Sequence, residues 1–151
     1  MRAVVQRVKN ATVKVAGNTV GEIGQGLLVL LGITHDDQSS DQDWLLKKLI
    51  NLRIFNDAEG KMNLSVTDVG GGMLIVSQFT LYADSKKGNR PSYIRSAPPA
   101  VSIPLYENFV AALKAQFAGP VATGEFGAMM DVDLLNDGPV TIILDSRQQD
   151  F

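Results

Sequence analysis

The sequence predicts a single α+β domain over residues 1–151, built as a mostly antiparallel, strongly curved, barrel-like sheet with two principal helices. Three observations point there. The first third alternates apolar and polar residues with the period of a half-buried strand. Leu27 and the residues through Ile33 are apolar throughout, as in a strand covered on both faces. Two later stretches repeat their apolar residues at helical spacing.

Residues 2–8 and 12–16 read as strands, Gly17 and Asn18 as a turn tolerating positive φ, and residues 19–23 as the next strand of a meander. Residues 27–33 form the doubly buried strand. Ser39 or Ser40 caps a helix over about 41–52, with Trp44, Leu45, Leu49 and Leu52 on one side and Lys47 and Lys48 on the other. Gly70, Gly71 and Gly72 launch a strand over 73–79. A second helix follows Pro98 and Pro99, aligns Leu105, Phe109, Leu113 and Phe117 along a core-packing stripe, and stops at Gly119 and Pro120. Pro104 is expected near its first turn, because farther in it breaks the hydrogen-bond ladder. The last strand, over about 128–135, is expected to turn through 136–138 and return over 140–144.

A chain of 151 residues buries one core and is too short for two ordinary domains. The absence of cysteine excludes disulfides, thiolate nucleophiles and cysteine-ligated metals, and is compatible with a reducing compartment. A single histidine, His35, excludes a multi-histidine metal site; in ITHDDQSSD it reads as a solvated loop residue with no assigned role. No apolar run is long enough to cross a bilayer and the N-terminal residues alternate charge with valine, so a cytoplasmic protein without a membrane partner is expected. A net charge of −2 excludes a generally basic nucleic-acid coat. RNA contact, if made, is local, and Lys86, Lys87, Arg90 and Arg95 in the loop KKGNRPSYIR are the cluster that supplies it; a solvated basic loop is the alternative.

Two polar segments end otherwise apolar runs: Ser77, Gln78, Phe79 and Thr80, and later NDGPVT over 136–141. Buried polar groups there are costly unless the fold or a ligand satisfies them. In a continuous strand Ser77 and Phe79 face one side and Gln78 and Thr80 the other. Either the strand bends or some of these residues act through their backbone. Backbone N–H groups can hold the oxyanion formed when water attacks an ester, worth ~3 kcal/mol per donor; the alternative is that Ser77 and Thr80 only cap the strand. A covalent Thr80 nucleophile needs a base, and only Asp84 or the distant His35 is on offer. Gly138 and Pro139 alone read as a hairpin turn, and Arg7 in VVQRV as either a solvent-facing or a site residue.

Together with residues 51–65 (NLRIFNDAEGKMNLS), 88–93 (GNRPSY), 104–110 (PLYENFV) and 124–141, these segments resemble the signature of the D-aminoacyl-tRNA deacylases, nearly end to end. The resemblance implies hydrolysis of the ester between a D-amino acid and the tRNA 3′ end, without a cofactor, by a homodimer whose active sites lie at the subunit interface. It implies a catalytic segment of Ser77, Gln78, Phe79 and Thr80, with little side-chain catalysis and help from the 2′-hydroxyl of the terminal adenosine. Gly138 and Pro139, joined by a cis peptide, are expected to send carbonyls into the partner's site to meet the substrate α-amino group, with Arg7 fixing their direction. L-aminoacyl-tRNA is then rejected and glycyl-tRNA accepted. Lys86, Lys87 and Arg90 become tRNA contacts. Met129 and Met130 either line the pocket beside Phe79 or fill the core. Ile94 and Arg95 depart from the family pattern, which expects smaller or more polar residues. The competing functions are a non-catalytic nucleic-acid binder, suggested by the basic loop, and an oligomeric small-metabolite binder, suggested by the low positive charge.

Overall fold

The structure, a computed structural model, describes residues 1–150. Its spine is β1 (Arg2–Val15), which pairs along its whole length with β8 (Asp131–Asp145). The opposite edge of β1 pairs antiparallel with β3 (Gly26–Gly32) near its start and with β2 (Asn18–Ile23) near its end. From β3 the sheet continues through parallel pairings to β6 (Gly72–Ser77) and then β7 (Val121–Thr123). The sheet is therefore mixed, antiparallel around β1 and parallel at β3, β6 and β7. It curls until β2 and β7 meet: a Cβ on Gly21 would collide with the Thr123 carbonyl, so this contact needs glycine. The result is a nearly closed barrel.

Strand alternation divides the core. Leu27, Val29, Leu31, Met73 and Ile75 pack beneath the helices α1 (Ser39–Asn51) and α2 (Pro99–Gln116). Leu28, Leu74 and Val76, their sequence neighbours, fill the other side with Val8, Ala11 and Val13. Both faces of β3 and β6 are thus apolar, and each fully buried aliphatic side chain contributes about 1.5–3 kcal/mol relative to exposure. A short hairpin, β4 (Phe55–Asn56) with β5 (Met62–Leu64), lies after α1. The two chain ends are tied together: the Met1 amino group donates to Asp37 (2.6 Å) and Ser146 Oγ (2.7 Å).

Several expectations change. The strands expected over 2–8 and 12–16 are one, because β8 runs beside them and keeps residues 9–11 extended. The hairpin expected at 136–138 is absent: β8 passes straight through and accommodates those residues as a bulge, since β1 offers a partner on either side. Pro104 is the sixth residue of α2, in the second turn, and the carbonyl it leaves unbonded is that of exposed Ala100, which water can satisfy. Helix α1 starts at Ser39 with Gln38 as its cap, whose backbone N–H donates to the Asp41 carboxylate (2.9 Å). The strand expected to reach Phe79 ends at Ser77.

Candidate active site

After Ser77 the chain leaves the sheet and enters a short 3-10 helix (Phe79–Tyr82), anchored by the Gln78 N–H to the Leu31 carbonyl (2.8 Å). This bend removes the obstacle of strand alternation. Ser77, Gln78 and Phe79 all line one cavity of about 300 Å³ at the end of β6. Its other walls are mainly apolar, among them Leu31, Ile33, Val76, Phe126 and Met130. Among the described residues, no Asp, Glu, His, Lys, Arg, Tyr or Cys lines it. Thr80 lies just outside the lining, and its Oγ1 accepts a hydrogen bond from Gln78 Nε2. Phe79 and Thr80 open the 3-10 helix, so their N–H groups have no acceptor within it.

The next segment of chain braces this opening. Ser96 Oγ donates to the Phe79 carbonyl (2.7 Å), and Tyr93 meets the Phe79 ring edge to face with centroids 5.1 Å apart. Phe79 remains 57% exposed and Met129 92% exposed at the cavity mouth. Met129 and Met130 line the cavity with Phe79; Met129 is exposed, whereas Met130 is half-buried and also packs against the core around Val8, Ala11 and Val13.

Gly138 and Pro139 are exposed and lie elsewhere. Pairing passes from Val8 with Asn136 to Gln6 with Thr141, so residues 137–140 stand opposite Arg7 alone. The Gly138–Pro139 peptide is cis, and Gly138 has φ of 125°. Arg7 is 6% exposed, which rules out its solvent-facing reading. Its Nε donates to the Asp137 carbonyl (3.1 Å) and pairs with the Asp137 carboxylate (3.2 Å), while Nη1 donates to the Ile54 carbonyl (2.6 Å) and to Asn56 Oδ1 (3.3 Å). The fork thus ties the residue preceding Gly138 to the turn before the β4–β5 hairpin. Within one chain the structure does not bring Gly138 and Pro139 into the cavity that holds Ser77, Gln78 and Phe79.

Lys86, Lys87 and Arg90 are exposed on a loop closed by paired backbone bonds between Asp84 and Ser92 (2.8 and 2.9 Å). None of the three forms an ion pair among the described residues. His35 is exposed and does not line the cavity; its Nε2 bonds the Ile94 carbonyl (2.9 Å). Among the described residues no group of three or more His, Cys, Asp or Glu gathers in a way that could hold a metal ion. No helix is long and apolar enough to cross a membrane.

Sequence reasoning missed Asn56, Ile54 and Asp137 as the anchors of Arg7, because each contact joins distant segments. It also missed Tyr106 and Phe126. Tyr106 lies one residue off the expected helical stripe; its hydroxyl donates to the Ile75 carbonyl on β6 (2.9 Å), and its ring packs on Phe126 (centroids 5.5 Å apart), a cavity wall. Burial pushes the Tyr106 hydroxyl up to about 12, so it stays a donor at neutral pH.

The family model described as D-Tyr-tRNA(Tyr) deacylase matches residues 4–145. A protein of Thermosipho africanus named D-aminoacyl-tRNA deacylase is 61% identical, covering 98% of this chain and 99% of its own. Another of that name from Chloroflexus aurantiacus is 58% identical, over 98% of this chain and 92% of its own. A solved structure described as c-Myc DNA Unwinding Element Binding Protein superposes with a TM-score of 0.91 at 41% identity, covering 96% of this chain and 98% of that one. A probable eukaryotic D-amino acid tRNA deacylase shares the fold, with a TM-score of 0.80 at 18% identity over 95% of this chain and 97% of its own. With a family match over nearly the whole chain and close relatives of one name, this chain belongs to the D-aminoacyl-tRNA deacylase family.

Proposed function

We propose that this chain hydrolyses the ester of D-aminoacyl-tRNA in the cavity at the end of β6, with backbone amides and the substrate's own hydroxyl doing the chemistry. The observation that carries this reading is the cavity lining, which holds hydroxyls and a carboxamide but no titratable side chain. A general base must then come from outside it, and the 2′-hydroxyl of the terminal adenosine is carried in by the substrate next to the scissile ester. The N–H groups of Phe79 and Thr80, at the start of the 3-10 helix, are the donors for the developing oxyanion.

Chiral selection belongs to Gly138 and Pro139 of a second copy of the chain. Exposed on the β8 bulge and absent from their own chain's cavity, they are free to enter a neighbour's. There their carbonyls meet the substrate α-amino group and fill the space that an L side chain needs, while a D side chain points away. Glycine carries nothing to reject, so glycyl-tRNA is also a substrate. Lys86, Lys87 and Arg90 lie on the loop that follows the catalytic segment, where the phosphates of an entering 3′ end need neutralising.

The test compares D-tyrosyl-tRNA ending in adenosine with the same ester on a 2′-deoxyadenosine terminus. The deoxy substrate should lose about 10²-fold or more in rate, the low end of what a positioned proton-transfer group contributes. Equal rates would place the base on the protein and overturn substrate assistance. A second reading, nucleic-acid binding without hydrolysis, is favoured by the name of the 41% identical structure. It predicts retention of D-tyrosyl-tRNA on the protein with no release of amino acid.

A further inference from the structure

A second, polar pocket of about 480 Å³ is lined by Arg2, Arg95, Arg147, His35 and Tyr82, with Asp36 and Asp145. We propose that it is a subsite for one phosphodiester of the tRNA acceptor end, just upstream of the terminal adenosine. This rests on the reading that the cavity at β6 takes the aminoacyl-adenosine itself.

Position is the first argument. The pocket and the cavity are lined by neighbouring residues of the same three segments: Ile33 lines the cavity and Thr34 the pocket, Ala97 the cavity and Arg95 the pocket, Phe79 the cavity and Tyr82 the pocket. Consecutive Cα atoms are about 3.8 Å apart, so the two sites lie back to back across single segments of chain. That separation is within the reach of a nucleotide strand whose last residue is seated in the cavity.

Charge and hydrogen-bonding capacity are the second. Three arginines line the pocket against two aspartates. Asp145 is already satisfied by Arg2, through Nε (2.9 Å) and Nη2 (2.7 Å), and Arg147 is engaged by the Asp36 carbonyl and by the Asp36, Asp37 and Asp41 carboxylates at 3.8, 3.7 and 3.9 Å. The Arg95 guanidinium makes no ion pair among the described residues, so it is the pocket cation free to pair with one phosphodiester. Tyr82 is 4% exposed, and its hydroxyl is a buried donor with no partner among the described residues. A buried hydroxyl left unbonded costs free energy that a phosphate oxygen would recover once a covering side chain moves aside to admit it. Burial, with Asp37 and Asp145 nearby, pushes this hydroxyl well above its ordinary value, so it keeps its proton. The wall is preformed: Thr34 Oγ1 holds the Arg95 carbonyl (2.6 Å), His35 holds that of Ile94 (2.9 Å), and the Arg2 guanidinium lies over the Tyr82 ring, 4.8 Å from its centroid.

Arg95→Ala and Tyr82→Phe test this with two substrates, D-tyrosyl-tRNA and D-tyrosyl-adenosine, which has no phosphate. For the tRNA ester, KM should rise about tenfold in Arg95→Ala, and the slope of log(kcat/KM) against log[salt] should become shallower by about 0.7, the loss of one single-strand phosphate contact. Tyr82→Phe should raise KM for the tRNA ester severalfold. The adenosine ester should change less than twofold in both variants. Unchanged KM and salt slope with the tRNA ester, or equal changes with both esters, would overturn the subsite while leaving the cavity's function intact. A parent protein that hydrolyses neither ester would instead overturn the reading of the cavity, and the subsite with it.

Discussion

Among the described residues, Arg7 is the only cation that ties the β8 bulge to the body of the fold, and the contacts it makes set the size of the effect of replacing it. Arg7→Ala deletes bonds to the Ile54 and Asp137 carbonyls and to Asn56, and an ion pair with Asp137, from a side chain that is 7% exposed. Hydrogen bonds from a charged donor are each worth about 1.5–3 kcal/mol, and a buried acceptor left behind costs its desolvation. Asp137 is 28% exposed, so water recovers part of the loss on that side, whereas the Ile54 carbonyl bond is buried. We expect a net loss of about 3 kcal/mol, below the upper end for breaking a fully buried pair. Arg7→Lys keeps the charge but not the fork, so it can serve Ile54 or Asp137 but not both, with a loss of about 1–2 kcal/mol. Both variants free residues 137–140 to change direction, so the ratio of D- to L-tyrosyl-tRNA hydrolysis should fall more than the D rate itself. Urea unfolding gives the stabilities, and single-turnover deacylation of the two diastereomers gives the ratio. An unchanged ratio in a folded Arg7→Lys protein would show that the bulge keeps its shape without Arg7; a loss under 1 kcal/mol in Arg7→Ala would show that water replaces the fork.

Ser77→Ala and Thr80→Ala should retain deacylation within about tenfold, because single hydroxyls are not the base and the backbone donors persist; complete loss in folded Thr80→Ala, with an acyl-enzyme trapped in the parent, would establish a threonine nucleophile instead. Gly138→Ala puts a Cβ at φ of 125°, 2.8 Å from a Val140 methyl, and should lower stability by about 1–3 kcal/mol in thermal denaturation; an unchanged Tm would mean the bulge relaxes freely. Acid stability provides a further check. Burial raises the Asp145 carboxyl, but the Arg2 side chain and the Arg147 backbone N–H outweigh it and hold the group below its ordinary value of 3.8. A carboxyl depressed in the folded state stabilises above its unfolded value and loses that contribution as pH falls through the folded one. The parent should therefore lose Tm steeply below pH about 4, and Asp145→Asn, less stable at neutral pH, should lose less over the same range; parallel curves would refute the assignment.

The sequence by itself determined the class of elements and the chemistry they present. Alternation in residues 2–8, the apolar run at Leu27 and the helical spacing of Trp44, Leu45 and Leu49 are local signals, and local periodicity is set by backbone geometry that no distant contact alters. The polar residues Ser77 and Gln78 at the end of an apolar run marked the candidate cavity for the same reason. Tertiary structure decided everything that depends on a partner segment. Whether NDGPVT folds back or runs on is fixed by β1 lying beside it for its whole length, and the parallel pairing of β3 with β6 by crossover through α1. Only the closed sheet makes Arg7 a buried clamp on Asp137, or places Phe126 against Tyr106 at the cavity wall. These contacts join residues tens of positions apart, and their cost and gain appear only when the chain closes on itself.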